Sequence, residues 1–419
     1  MTVSSTAASR HAASRPSPEQ ADELPESLTI TPLRRTPLRL FTICLLLLVS
    51  SVAWRRGEFY SGGFDTVVAA KAALTLLALL LVLTAPVRGL PWARFRAGPV
   101  PWLILYAALA TTGALLNGDA FSSAVLAGRL GLLTLILVLL FRHYPRAEVL
   151  SALLSAMLAL ALVGSVTGVG SLATEGRLYG GIPPLNANTI ALLVSLPLIC
   201  LCWRWTAHVV RPVELLAIAP LLGLLWLTGT RTGLAAVLVA LLILVVMAPR
   251  LPGPVVALTV VSVPTLLAVF SFTPLLSGYL TRGDSASDLV TLNSRTVAWR
   301  AALEYPDDLT ERLLGAGLAQ KVIPVSAMYR HEQILDSTWV SAIVQAGFLG
   351  TAVLALIVLT TLTRLLTEPP PLRGLLVASV GMLTLISVME SGLFDTSVTF
   401  IAFCCFALSG RPPTERRTR

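Results

Sequence analysis

Charge is scarce in this 419-residue chain. Asp, Glu, Lys and Arg make up 13% of it, against 55% hydrophobic residues, where a soluble protein carries roughly 25% charged residues. With a mean hydropathy of +0.80, that shortage excludes a soluble enzyme with an ordinary polar surface. Lysine is nearly absent: Lys71 and Lys321 are the two in the chain, so the net charge of +9 is carried by arginine. The arginines fall between apolar stretches, which makes them reporters of membrane topology rather than a nucleic-acid surface. The five cysteines (Cys44, Cys200, Cys202, Cys404, Cys405) lie inside apolar runs, so neither a disulfide framework nor a metal site is expected. The chain also lacks a phosphate-binding P-loop, a dinucleotide-binding glycine fingerprint, Cys/His spacing suited to a metal, and any internal repeat. No cofactor is expected.

What is present is a series of apolar stretches, each near the roughly 20 residues of a bilayer crossing. Twelve are expected, at about 38–54, 66–85, 99–117, 121–141, 148–170, 186–203, 213–229, 232–248, 253–275, 337–362, 373–389 and 394–410. This is the pattern of an all-α polytopic integral membrane protein. Residues 1–37, rich in Ser, Ala, Pro and charge, read as a disordered cytoplasmic tail. Transmembrane helices 1–9 fill 38–275, a large extracytoplasmic loop with short helices spans 276–336, helices 10–12 fill 337–410, and 411–419 is a basic cytoplasmic tail. Arg39, Arg88, Arg142, Arg146, Arg204, Arg211, Arg364 and Arg373 all fall between spans or at span ends on the side of the N-terminus. The positive-inside rule therefore puts both termini in the cytoplasm.

The informative residues are those that sit badly in lipid or on the outer side. Arg129 lies within the fourth span, where a charge costs at least ~2.5–3.5 kcal/mol on insertion scales; an inter-helix salt bridge and a substrate contact are both open to it. Lys71, one turn into the second span, reads as a snorkelling residue. After the fifth span, EGRLYGGIPPLNANT (175–189) carries Arg177, Asn186 and Asn188, and its asparagines can cap the following helix. LTGTRTG (227–233) pins Arg231 in a tight outer turn. In the large loop, NSRTVAWRAAL (293–303) is spaced as a helix along the membrane, with Arg295, Trp299 and Arg300 near one face. His331, Glu332, Asp336 and Ser337 precede the tenth span. Guanidinium groups bind pyrophosphate bidentately, and a carboxylate or imidazole beside them can serve as general base on an acceptor hydroxyl. Those residue types point to group transfer from a lipid pyrophosphate outside the cytoplasm.

Four motifs in order carry a resemblance: Arg177, Gly180, Asn186 and Asn188; Thr230-Arg231-Thr232-Gly233; Arg295 with Trp299, followed by Gly315-x-Gly317; and a polar pair before Gly347-x-x-Gly350. With the twelve-span layout, the chain over about 38–410 resembles the O-antigen ligase and polymerase superfamily of bacterial membrane glycosyltransferases. In ligases of that family the polar pair begins with His; here the register gives Asp336-Ser337, which favours a polymerase or a ligase for another acceptor. The resemblance implies a GT-C-like fold in the bacterial inner membrane and an inverting, metal-independent transfer. Arg177, Arg231 and Arg295 would hold the pyrophosphate of an undecaprenyl-linked oligosaccharide donor. Asp336, or His331 in its place, would assist the hydroxyl of a glycan or other surface acceptor, with Arg231 also serving catalysis. Arg129, Asn188, Trp299, Arg300 and Ser337 are supporting candidates. Implied partners are membrane lipids, a flippase and a chain-length regulator, and no nucleic acid. The competing readings are a lipid or polysaccharide transporter and a peptidoglycan glycosyltransferase of the cell-shape type. Glu390 and Asp395, flanking the last outer turn, fit any of these sites or simple helix capping.

Overall fold

The computed structural model describes residues 26–410, apart from 34–35, 56–64, 92–94, 96–97, 249–252, 254–294 and 328–329. Nearly all of the ninth expected span (253–275), residues 1–25 and 411–419, and much of the large loop therefore lie outside the described residues. What is described is mostly helical. Long helices are α1 (Leu38–Ser51), α2 (Thr66–Leu83), α3 (Val100–Asn117), α4 (Ala120–His143) and α5 (Arg146–Thr167). After the short α6 (Ser171–Glu175) come α7 (Ala187–Thr206), α8 (Pro212–Leu227) and α9 (Arg231–Met247). The loop contributes α10 (Arg295–Glu304), α11 (Leu309–Leu314) and an antiparallel hairpin, β1 (Val322–Ala327) with β2 (Arg330–Ile334). The chain closes with α12 (Thr338–Leu366), α13 (Leu372–Met389) and α14 (Val398–Ser409).

Seven of these helices are long and apolar enough to cross a membrane, and four shorter ones are apolar along their length. Their outward faces are leucine and valine: Leu80 on α2, Ile104 on α3, Leu216 on α8 and Val246 on α9 are all exposed. A soluble protein does not present that much contiguous apolar surface to water. The fold is that of a helical membrane protein. The hairpin is an addition to the all-α expectation; the sequence reading placed only short helices in the loop.

The bundle is organised around α14. All of its 12 residues are buried, and it packs against α1, α4, α5 and α13. At about 1.5 Å per residue it is some 18 Å long, too short to cross alone. Its neighbours enclose it, so none of its backbone has to meet lipid.

One end of the bundle is closed by buried ion pairs. Arg204 Nε donates to Glu214 at 2.9 Å, with both side chains 3% exposed, and Thr31 Oγ1 donates to the same carboxylate at 2.8 Å. Arg204 also donates to the carbonyls of Leu28, Ile30 and Val209. Residues 28–33, expected to be part of a disordered tail, are thus tied into the bundle, and Ile30 is fully buried. The apolar Leu28 and Ile30 and the hydroxyl of Thr31 give this short piece something to bury and bond. Arg146 pairs with Glu368 at 3.3 Å at the same end.

The opposite end is shaped by a break in α12. Gly347 has φ +66° and ψ −168° inside an otherwise helical run. The left-handed φ interrupts the helix and leaves the carbonyls of Val344 and Gln345 free to accept from Ala316 N–H (2.8 Å) and Gly317 N–H (2.9 Å). The segment after α11 docks so closely there that a Cβ on Gly347 would lie 2.3 Å from the Leu313 carbonyl. Gly113 on α3 meets the same segment: a Cβ there would lie 2.2 Å from the Leu314 oxygen. Asn117 and Gln345 add hydrogen bonds to the Gly315 and Gln320 carbonyls. Beyond it, the hairpin is anchored by Ile323 and Leu335, which pack with Ala302 of α10 and Val344 of α12.

Two stability predictions follow from these contacts. Glu214→Ala should destabilise the protein by about 3 kcal/mol, the low end for breaking a buried pair because Arg204 keeps its carbonyl partners; thermal unfolding in detergent measures it. Gly347→Ala should cost ~2 kcal/mol or more, from the left-handed φ and the backbone overlap together. Gly128→Ala, where the added methyl meets nothing within 4 Å, should be close to neutral in the same assay.

Candidate functional site

The end shaped by the α12 break is where the singled-out residues gather. Helices α7, α9, α12 and α14 all begin here, and their amide N–H groups and dipoles make it favourable to anions. Asn186, not Asn188, caps α7, accepting from Thr189 N–H at 2.7 Å. That leaves the Asn188 amide to donate to the Glu390 carboxylate. Ser337 is 1% exposed and caps α12, accepting from Val340 N–H at 3.5 Å.

Two groups of side chains adjoin one another here. The first surrounds the starts of α7 and α9. Arg177 Nε donates to the Thr228 carbonyl at 3.1 Å, its guanidinium lies 5.4 Å from the Tyr179 ring centre, and Leu178 N–H donates to Leu227 O at 2.9 Å. These contacts hold the 176–180 segment against the turn that carries Arg231. The Thr228 and Thr230 hydroxyls are linked at 3.1 Å. Ala191 of α7 packs against Gly233, where a Cβ would lie 3.2 Å away. Arg231 opens α9, half-buried. Across Glu390 lies the start of α12. Thr338 Oγ1 donates to the Glu390 carbonyl at 2.9 Å, and Thr338 N–H shares that acceptor at 3.2 Å. Asp336, half-buried, sits two residues before Thr338. Asn188 at the start of α7 is thus linked through Glu390 to the start of α12, and Arg177 lies against the turn that carries Arg231.

The second group lines a pocket of about 240 Å³ that Thr338 also borders. Its charged walls are Lys71, Arg129, Lys321 and Asp395. Lys321 Nζ donates to Asp395 at 2.5 Å, Arg129 donates to the Ser50 carbonyl at 2.8 Å, and Lys71 lies 5.9 Å from the Trp54 ring centre. Leu335 N–H donates to the Lys321 carbonyl at 3.1 Å, so the hairpin base sets Lys321 and Leu335 in the pocket wall. Burial alone would push the Asp395 carboxyl up, but the Lys321 charge and hydrogen bond, the Thr396 N–H and the Arg129 charge outweigh it and hold it below its ordinary value.

Of the other expected residues, Trp299 is half-buried on α10. Arg300 is 83% exposed and paired with Glu304 at 3.1 Å, an i,i+4 surface pair. Arg295 and His331 are placed on α10 and β2, and their side chains lie outside the described residues. Among the described residues no group of three or more His, Cys, Asp or Glu is placed to hold a metal ion.

The sequence reading passed over Lys321 and left Lys71 as a snorkelling residue. A signal was present: in a chain whose other basic residues are all arginine, both lysines come to one pocket. Asp395 was noted without a partner, because nothing in local spacing links it to a lysine 74 positions away.

No family model matches the chain, and no curated protein sequence matches it. The class is therefore defined by the molecule itself: a helical membrane protein with basic and acidic side chains converging at one end of its bundle.

Because the folded-state pKa of Asp395 is depressed, the pair with Lys321 stabilises the fold above the ordinary carboxylate pKa, ~3.9. That contribution is lost as pH falls through the lower folded value. Asp395→Asn should accordingly unfold at a lower temperature than the parent at pH 7, with the gap shrinking below about pH 4. Melting curves across that range check it, and a gap independent of pH would count against the pair.

Proposed function

We propose that the protein is a glycosyltransferase of the bacterial inner membrane that uses an undecaprenyl-pyrophosphate-linked glycan as donor at the extracytoplasmic face, with polymerisation favoured over ligation. The observations that support this most directly are Arg177 held against the turn that carries Arg231, and Asn188 of α7 linked through Glu390 to Thr338, two residues after Asp336. A pyrophosphate needs cationic and N–H donors that stay in place as charge builds on the leaving group. Arg177 is held by a backbone carbonyl, and Arg231 opens α9.

In this reading the donor's pyrophosphate sits between the two arginines, with Arg295 as a third contact from the loop. Asp336 accepts the proton of the acceptor hydroxyl as that oxygen attacks the anomeric carbon from the face opposite the pyrophosphate. The C–O bond to phosphate breaks, undecaprenyl pyrophosphate leaves, and the configuration inverts. His331 is the alternative base. The twelve-span count and a topology with both termini in the cytoplasm belong to this proposal; the arginines at the closed end, Arg39, Arg88, Arg146 and Arg204 among them, support that orientation.

The test is reconstitution of the full chain in liposomes with a lipid-linked oligosaccharide, reading both product length and release of the carrier. Arg231→Ala and Asp336→Ala should each slow transfer by about 10²–10³-fold, and Arg231→Lys should recover only part, since an ammonium lacks the planar fork. Growing chains on the carrier identify a polymerase and single adducts on a second acceptor a ligase. Full activity in both alanine variants, or movement of glycan across the bilayer with no new glycosidic bond, would overturn the assignment.

A further inference from the structure

We infer that the pocket bordered by Lys321, Asp395 and Thr338 is the acceptor subsite, and that it takes the terminal ring of a neutral saccharide through two neighbouring hydroxyls. The Lys321–Asp395 pair carries the argument. Asp395 Oδ2 accepts from Lys321 Nζ at 2.5 Å, and Oδ1 accepts from Thr396 N–H at 2.8 Å. An ionised carboxylate has about four acceptor positions, so these two bonds fix its orientation and leave it able to accept more. The Asp395 side chain is 37% exposed and borders the pocket, which gives a ligand access to that remaining capacity. Lys321 carries three donor protons, and its side chain borders the same space. Acceptor and donor thus stand side by side, as adjacent ring hydroxyls require. One hydroxyl donates to Asp395, and the oxygen of the next accepts from Lys321.

The rest of the wall selects the class of ligand. A singly charged ligand fits the pair badly, since an anion directed at Lys321 meets Asp395 and a cation directed at Asp395 meets Lys321. Sugar hydroxyls both donate and accept, and so do the side chains of Ser341, Gln345 and Thr396 along the wall. The Tyr106 and Phe394 rings, 5.7 Å apart between centres, add apolar surface for the C–H face of a ring. A cavity of about 240 Å³ with a few placed polar groups is the kind of site that orients a small ligand. Its position supports the acceptor's role. Thr338 borders the pocket and donates to the Glu390 carbonyl, and the Glu390 carboxylate accepts from Asn188 at the start of α7. The pocket therefore adjoins the region proposed for the donor's pyrophosphate. The inference rests on the proposed glycan transfer and adds to it the residues that choose the acceptor.

The experiment uses the full-length protein in nanodiscs and saturation-transfer NMR. The probes are the methyl glycosides of glucose, galactose, mannose and N-acetylglucosamine, with methyl glucuronide and methyl glucosaminide as charged counterparts. At least one neutral glycoside should bind, several-fold more tightly than either charged one. Among its monodeoxy forms, two that lack adjacent hydroxyls should lose binding. Asp395→Asn and Lys321→Gln should each weaken the neutral probe about tenfold, the scale of a hydrogen bond to a charged group. Thr396→Val removes a wall hydroxyl and leaves both members of the ion pair; it should weaken binding several-fold, and it carries the test if the pair variants do not fold. Binding by none of the four, tighter binding of a charged glycoside, or unchanged binding in Asp395→Asn and Thr396→Val each overturns the inference. Arg231→Ala should bind the neutral probe like the parent. Intact sugar binding with no transfer from a lipid-linked donor sinks the transferase reading alone. Transfer by Asp395→Asn at the parental KM for acceptor sinks the acceptor subsite alone.

Discussion

The meeting of the 313–317 segment with the interrupted turn of α12 decides the shape of the functional end. A continuous helix would satisfy the Val344 and Gln345 carbonyls internally and offer the loop nothing to bond. Gly347, in the left-handed region, releases them to Ala316 and Gly317. Gly113 and Gly315 let three backbones approach within side-chain-free distance. From that contact the chain runs directly to Lys321, to the hairpin and to Asp336. The placement of the segment that leads to Lys321 depends on a hydrogen-bond exchange that the left-handed glycine permits.

The two ends of the bundle solve opposite electrostatic problems. At the closed end, Arg204 and Arg146 are matched to Glu214 and Glu368, and Arg204 collects carbonyls besides. These charges are satisfied within the chain and serve to tie residues 28–33 to α7 and α8. At the other end Lys71, Arg129, Lys321 and Asp395 line one pocket, and helix starts add positive potential.

Much of this was legible beforehand because the solvent leaves a strong mark on sequence. Apolar stretches near bilayer length located every described long helix to within a few residues, as α4 (Ala120–His143, expected at 121–141) and α13 (Leu372–Met389, expected at 373–389) illustrate. Arg177, Arg231, Asn188 and Asp336 were conspicuous for the same reason, being polar residues at spans' ends. The hairpin was missed because RHEQI carries no alternation of apolar residues and the turn signal before it is weak. Asn188 was read as a cap, since either asparagine of NAN fits the pattern; the backbone chose Asn186.

What the sequence by itself determined is the solvent of this protein, its helices and the end on which unusual charges lie, because burial in lipid selects residue types one segment at a time. What only the tertiary structure decided is which charges meet. Lys71, Arg129, Lys321 and Asp395 come from four separate parts of the chain, and no local periodicity encodes their distances. They are brought together by how α2, α4, the loop and the α14 entry pack, and that packing is a property of the whole bundle.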